Sequence, residues 1–468
     1  MSPRLLRARA PGYMLALSDL PFPAGSAGAA RRTEYPHPFL FGSPRMPASD
    51  RLNANDRSIV GLVAVAHAMV HTYELSIPIF VTVWHDALSI PIVDLGLMVG
   101  VGYALFGLGA IPGGILSDRL GSRGLIAACL AGMGGSFALL SFASTPWMLT
   151  LSMAAWGIAA SVYHPAGLSL ISKGVTKRGR ALALHGIAGN AGIALGPLAT
   201  AVLLAWIGDW QWVALLLAIP AALATAYAAS SSFDETAGEE ATEKASDKRF
   251  ADEDADAHLL RRLGSTSRQL FATAFAGVFA VVMLSGLYYR GVLTFLPGML
   301  NDVITFTLPI DIASEHYIYA GVLMIGMLGQ YAGGKLTDRL PTEIGMAGAL
   351  AVLSGIAIVF LPVVQLGTAP LLVASAVLGF FLFLVQPLYQ ATVAEYTPAR
   401  ARGLSYGFTY LGVFGIGALG APLAGWILDA SSAMALFYLL AAVAATASLL
   451  SAWLMVRAGH HTRLVSRS

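Results

Sequence analysis

Gly114-Ile-Leu-Ser-Asp118-Arg119-Leu-Gly121-Ser-Arg123 is a short charged hinge where one long apolar run ends and the next begins. It returns, eroded, as Gly334-Lys-Leu-Thr-Asp338-Arg339, again between apolar runs. Two copies of one hinge imply a duplicated chain, and the runs beside them imply a membrane protein. The composition agrees, with 56% of the 468 residues hydrophobic and 12% charged. A soluble domain carries about 25% charged residues. Half that charge cannot solvate a globular surface, so lipid must be the main solvent. The lone cysteine, Cys129, lies in an apolar run and excludes an intramolecular disulfide. The 50 glycines suit helices packed closely in lipid and argue against a coiled coil.

Outward from the hinge, apolar runs of about 20 residues or more follow one another, each able to cross a core of roughly 30 Å. Twelve are predicted: 58–84, 93–117, 123–143, 147–172, 181–207 and 210–231, then 269–297, 315–337, 343–365, 369–394, 403–428 and 432–456. Residues 1–57, with Pro11-Gly12, Pro21-Phe-Pro-Ala-Gly-Ser26, Tyr35-Pro-His-Pro38, Arg31 and Arg32, read as a disordered tail. No run there is long enough for a signal-peptide core, and Met46 is a candidate true start. The loop 232–268 is acidic first (Asp234, Glu235, Glu239, Glu240) and basic last (Arg261, Arg262, Arg268). It reads as a solvated linker between two six-span bundles, 58–231 and 269–456, with a second tail at 457–468.

Lysine and arginine set the orientation. Loops near 85–92, 144–146, 208–209, 298–314, 366–368 and 429–431 hold neither. The alternate loops hold Arg119 and Arg123; Lys173, Lys177, Arg178 and Arg180; the central cluster; Arg339; Arg400 and Arg402. Arg457, Arg463 and Arg467 follow the last span. Both termini and the central loop are therefore expected in the cytoplasm, with the protein in the plasma (inner) membrane.

The duplication reaches beyond the hinge. Ser161-Val-Tyr-His164-Pro165 matches Leu384-Val-Gln386-Pro387, Arg178-Gly-Arg180-Ala-Leu matches Arg400-Ala-Arg402-Gly-Leu, and Pro197-Leu-Ala matches Pro422-Leu-Ala. Two halves related this way place a binding site at their interface near the bilayer midplane.

The pattern Gly-x-x-x-Asp-Arg-x-Gly-x-Arg resembles the signature loop between the second and third helices of the major facilitator superfamily, and the resemblance covers the chain from about residue 58. It implies an all-α transporter of twelve helices in two pseudo-symmetric six-helix bundles. By the same resemblance Gly114, Asp118, Arg119, Gly121, Arg123, Asp338 and Arg339 form a conformational latch: Gly114 permits close helix approach, Asp118 meets a helix N-terminus of the other half, and the arginines hold one state.

One branch is nearer than the rest. Ser161-Val-Tyr-His164-Pro165-Ala-Gly, then Arg180-Ala-Leu-Ala-Leu-His185-Gly-Ile-Ala-Gly189-Asn190-Ala-Gly192-Ile-Ala-Leu-Gly196-Pro197, resemble the fosmidomycin-resistance-protein branch. So do Tyr289-Arg290-Gly-Val-Leu-Thr-Phe-Leu-Pro297 and Glu395-Tyr-Thr-Pro398-x-x-Ala-Arg402-Gly. The resemblance implies a secondary transporter with proton coupling and, in the namesake, efflux of a small phosphonate drug. The chain departs from the usual drug–proton antiporter pattern, which has an arginine ahead of a glycine in span four; here it reads Met153-Ala-Ala-Trp156-Gly157. In the namesake a carboxylate lies one turn after the span-one histidine; here His71 stands in that place and the carboxylate is Glu74.

Ionisable groups within hydrocarbon are costly and face cavities, so each is a candidate. His67, His71 and Glu74, spaced four and three apart, share one face of span one. Imidazole titrates near neutrality, so this stripe is a proton-coupling candidate, or else a polar face satisfied between helices. His-x-x-x-His suits Zn²⁺, but no further Cys, His or Asp cluster nearby completes a site, and no metal is assigned. Arg290 is the one Lys or Arg well inside a predicted span. It lies at a height comparable to Glu74, so the two are expected to pair or to compete for a proton and an anion. The alternative is snorkelling to headgroups. A guanidinium favours phosphonate, phosphate or carboxylate. Tyr163, His164, His185, Asn190, Tyr288, Gln386 and Gln390 are further substrate-binding candidates, with His164-Pro165 expected to kink its helix and, with His185, to line the inner mouth. Gly192-x-x-x-Gly196-Pro197 reads as a packing element.

Gly329-Gln-Tyr-Ala-Gly333-Gly334-Lys335 nearly matches a phosphate-binding loop, but Leu336 follows and the stretch ends a span. No catalytic constellation is present. The expected partners are a small solute, a proton and the lipid bilayer, with no cofactor and no nucleic acid, and the working unit is a monomer. Efflux by proton antiport is the first reading, uptake of an organic anion or sugar acid by symport the second, and a non-transporting membrane sensor the third.

Overall fold

The structure, a computed structural model, describes residues 52–238, 264–301, 303–304, 313–397 and 402–465, without the side chains of Asp118, Arg402, Gly403 and 458–465. Residues 1–51 of the expected tail 1–57, most of the central loop and Arg400 lie outside the described residues.

Twelve helical passes follow in order among the described residues. The first half holds α1 (Ala54–Leu88), α2 (Ile92–Leu108) with α3 (Ala110–Leu120), α4 (Ser122–Leu140), α5 (Pro146–Ser161) with α6 (Tyr163–Gly174), α7 (Arg178–Ile207) and α8 (Trp210–Ser230). The second holds α9 (Phe275–Asn301), α10 (Ser314–Thr337), α11 (Thr342–Val364), α12 (Thr368–Glu395), α13 (Arg402–Tyr410) continuing through a π turn and a 3₁₀ turn into α14 (Gly420–Ala430), and α15 (Ala433–Val465). Ten of these passes are long and apolar enough to cross a membrane as they stand. The break at Val162, just before His164-Pro165, is where a kink was expected: proline lacks the donor that would continue the ladder. Two edges differ from the sequence reading. Helix α1 starts earlier than 58, capped by the Asn53 side chain on the Asp56 N–H at 2.7 Å, and α15 runs on to Val465, past the expected end of the last span.

The repeat is visible in how helices pair. In the first half α1 packs along α7, α2 on α5, and α4 on α8; in the second α9 packs on α14, α10 along α12, and α11 along α15. The halves meet through α2 with α14, α7 with α10, and α1 with α9. Large apolar side chains such as Trp147, Trp206, Trp212 and Trp426 face outward, where lipid replaces water. Lipid gives apolar side chains no reason to leave it, so helix contact depends on small residues that let backbones close. The near-match to a phosphate loop is one such stripe: a Cβ on Gly329 or Gly333 would strike the Phe380 or Leu384 carbonyl of α12.

The first seven residues of the central loop are docked rather than free. Asp234 donates its N–H to the Asn55 amide oxygen at 2.8 Å and accepts from that amide at 3.0 Å.

Candidate functional site

A cavity of about 520 Å³ opens between the halves. It is lined from the first half by α1, α6 and the first part of α7, and from the second by α9, α10, α11, α12, α13 and the π turn. It therefore leans toward the face that carries the start of α1. A second cavity of about 810 Å³ lies on the other side, lined by Val81, Thr82, Thr294 and His316 among others.

What brings α7 close enough to build the first cavity is glycine. Gly189, Gly192 and Gly196 repeat at helical spacing. A Cβ on Gly196 would lie 2.6 Å from the Thr72 Cα, and one on Gly189 would lie 2.5 Å from Nδ1 of His67. The expected packing role of Gly192-x-x-x-Gly196 is thus met, and it presses the α1 histidines against α7.

The resulting cluster is larger than the stripe on α1. The His67 and His185 rings stack at 3.8 Å between centroids. His67 Nδ1 lies 2.8 Å from the His185 carbonyl, and His67 Nε2 lies 3.0 Å from His71 Nε2. His71 Nδ1 lies 2.6 Å from Glu74 Oε2, and Glu74 Oε1 pairs with the Arg290 guanidinium. His164 sets its ring edge-on to His67 at 5.3 Å. A carbonyl and a guanidinium-paired carboxylate can only accept, so each holds the proton on the Nδ1 facing it. The Nε2 atoms of His67 and His71 then face one another with a lone pair each. That contact becomes attractive only when a cation lies between them, the simplest being a proton.

Glu74 and Arg290 are 1% and 2% exposed, which rules out snorkelling for Arg290. They join α1 of one half to α9 of the other. The Arg290 guanidinium also lies over the Tyr103 ring, 3.8 Å from its centroid, and within 5.5 Å of the Phe414 ring. Along α1, Glu74 lines the first cavity and Thr82 the second; along α9, Tyr289 and Thr294 do the same. The ion pair therefore stands between the two cavities.

His164, His185, Asn190, Tyr288, Gln386 and Gln390 all line the first cavity. His164 and His185 belong to the cluster rather than to a separate mouth. Tyr163 does not line the cavity; its hydroxyl donates to the Val63 carbonyl at 2.5 Å and it packs α6 to α1. Tyr288 lines the cavity with its ring, while its hydroxyl donates to Leu353 O at 3.2 Å. Helix α6 brings His164 beside His67 and His71, a neighbour that the spacing on α1 did not reveal. Sequence reading missed Gln330, whose amide donates to Gln386 at 2.7 Å, and the aromatic collar of Tyr103, Tyr410 and Phe414. In an apolar run those rings carry no mark that separates them from packing.

The hinge is built differently from the site. Gly121 has φ 81° and ψ 148°, a conformation essentially confined to glycine. It turns α3 into α4, whose Ser122 and Arg123 N–H groups donate to the Glu235 carboxylate at 2.8 and 3.0 Å. Arg123 donates to the Ser231 carbonyl at 2.5 Å, so it is held within its own half. Arg339 and Asp338 are both exposed; the side chain of Asp118 lies outside the described residues.

The profile of the Major Facilitator Superfamily matches residues 60–419. The chain belongs to that superfamily. Its members are transporters, so this superfamily chain is a membrane transporter and not an enzyme. It is 27% identical over 349 residues to the "Multidrug resistance protein MdtH" of Klebsiella pneumoniae (strain 342), covering 72% of this chain and 79% of that one. It is 27% identical over 361 residues to the MdtH of Cronobacter sakazakii (strain ATCC BAA-894), with 72% and 79% covered. Solved superfamily folds superpose on it. A bacterial homolog to the human lysosomal transporter Spinster, inward-facing and unoccupied, gives a TM-score of 0.64 at 14% identity over 89% of this chain and 98% of that one. A peptide transporter POT mutant in complex with sulfate gives 0.67 at 14% identity, over 86% and 95%. At such identities these structures support the fold alone.

Proposed function

We propose that this chain is a proton-coupled exporter of a small polar or anionic solute, working by alternating access with both termini in the cytoplasm of a cell bounded by this plasma membrane. The carrying observation is the buried Glu74–Arg290 pair between the two cavities. A buried ion pair adds little net stability, because desolvation offsets attraction, yet breaking one side of it is costly. A pair that joins the two halves is therefore suited to be exchanged rather than kept. A proton taken up from outside through His71 onto Glu74 alters the charge facing Arg290 and releases the solute there. Loss of that proton to the cytoplasm restores the pair and readies the cavity for the next solute.

Export is supported by the resistance-protein names of the relatives and by the resemblance to the fosmidomycin-resistance branch. The missing span-four arginine means that the coupling rests on Glu74 and the histidines. Uptake by symport uses the same residues with proton and solute moving in the same direction. The arrangement of lysine and arginine supports the orientation.

The test uses right-side-out and inverted vesicles loaded with a pH-sensitive dye, with phosphonates, organic acids, sugars and amphipathic drugs added in turn. Proton flux driven by one class in the wild type and lost in Glu74→Gln is the expected result, and its sign separates export from import. Folded protein that moves no protons with any class overturns proton coupling.

A further inference from the structure

We infer that His67, His71 and His164 form a binding site for a borderline divalent transition-metal ion of the Zn²⁺, Co²⁺ and Ni²⁺ group. One donor nitrogen from each of the three lies within 4.8 Å of the others. Three imidazoles around an ion at about 2.1 Å place their nitrogens about 3.4 Å apart, so small ring rotations close the set. The helices supply the spacing: His67 and His71 are one turn apart on α1, and the α5–α6 break turns His164 toward them.

Two further features point to a ligand. Both nitrogens of His164 are buried without a hydrogen-bond partner among the described residues, although His164 is only 6% exposed. Nearly all buried polar atoms have a partner. His185 Nε2, stacked beside His67, is likewise unpartnered. The second feature is the shell behind the donors. Metal-bound histidines hold their other ring N–H on a carboxylate or a backbone carbonyl, which fixes the ring and raises its basicity. His71 has Glu74 in that role and His67 has the His185 carbonyl. Both Nε2 atoms are left as metal donors facing one another, and the cavity that the two residues line supplies the entry path and room for a fourth ligand. Three imidazoles without thiolate or a direct carboxylate select Zn²⁺, Co²⁺ or Ni²⁺ over Mg²⁺ or Ca²⁺.

The site does not require that transport be proton-coupled, and its readout is binding rather than flux. Full-length protein, freed of any affinity tag and stripped with chelator, is placed in lipid nanodiscs and titrated with Co²⁺. The expected result is one equivalent bound, with the intense visible absorption of a low-coordinate nitrogen site, displaced by Zn²⁺ and not by Mg²⁺. His164→Phe keeps the ring stack while removing the donors, and His71→Gln removes a second donor. Each is expected to weaken binding at least tenfold while thermal unfolding shows the protein folded; His316→Ala, outside the cluster, is expected to bind as the wild type does. If folded wild type binds no stoichiometric Co²⁺, or if His164→Phe and His71→Gln bind as tightly as wild type, the inference is overturned and the cluster is a hydrogen-bonded aromatic stack only.

Discussion

His164 and Gln386 occupy equivalent places in the two halves, each just before a proline in the repeated motif. The outcomes differ. In the first half the pass breaks at Val162 and His164 turns into a cluster of titratable rings. In the second, α12 runs unbroken through Pro387 and Gln386 takes a neutral amide bond from Gln330. The contrast extends to the whole cavity. The first half contributes groups that gain or lose charge, namely four histidines and Glu74. The second contributes amides and tyrosines, with the permanent cation Arg290 buried against Glu74 instead of lining the cavity. The two halves keep matching slots with different side chains, so that one wall holds imidazoles and a carboxylate and the other amides and phenols. An exchange mechanism needs that inequality, because two identical walls would offer an anion no reason to choose between states.

The strongest way to break the comparison is to take the charge from one wall only. Glu74→Gln leaves Arg290 buried without a partner and is expected to cost about 3–5 kcal/mol, read as a lower unfolding temperature in detergent, together with loss of solute-driven proton flux. Glu74→Gln combined with Arg290→Gln removes both charges and is expected to regain most of the stability but no coupled flux. If the double variant still couples, the pair is structural and the division of labour is wrong. A smaller effect comes from pushing on the titratable wall without touching its chemistry. Gly189→Ala drives a methyl into the His67 ring, and overpacking of this kind costs about 1–3 kcal/mol. Gly186→Ala on the same helix meets nothing within 4 Å. It is expected to be neutral or slightly stabilising, since alanine is the better helix former. Equal unfolding temperatures for the two variants would show that α7 does not press on the histidines.

Much of this was legible because charge is rare in an apolar chain. Glu74 and Arg290 stood out as isolated ionisable groups, and their comparable depth was enough to pair them. The hinge and its echo gave the duplication. What the sequence could not supply was rotation about helix axes. His164 and His185 were each visible as lone histidines, yet nothing in their own helices says that both turn toward His67, and so the cluster read as a two-histidine stripe. Tyr163 illustrates the converse: its neighbour His164 faces the cavity, while the tyrosine hydroxyl goes to the Val63 carbonyl. The π turn over Leu411–Ile416, which puts Phe414 beside Arg290, is written in a run of glycines and aliphatics that reads equally well as regular helix.

The smallest expected effect separates the two hinges. In the first, the start of α4 is capped from outside by Glu235, whose carboxylate takes two backbone N–H groups. That arrangement places negative charge on the positive end of a helix. In the second, the start of α11 is held through side chains instead: Thr342 Oγ1 donates to Glu395 at 2.9 Å, and Tyr396 donates to Glu343 at 2.6 Å. Losing a cap costs about 1 kcal/mol, which is a factor of about five in a local opening equilibrium. Glu235→Ala is therefore expected to speed hydrogen exchange of the Ser122 and Arg123 amides by about fivefold. Glu395→Ala is expected to leave the Thr342 and Glu343 amides nearly unchanged, because no backbone donor among the described residues depends on that carboxylate. Equal acceleration at both hinges would mean that they are held alike, and that the functional inequality of the halves stops at the cavity walls.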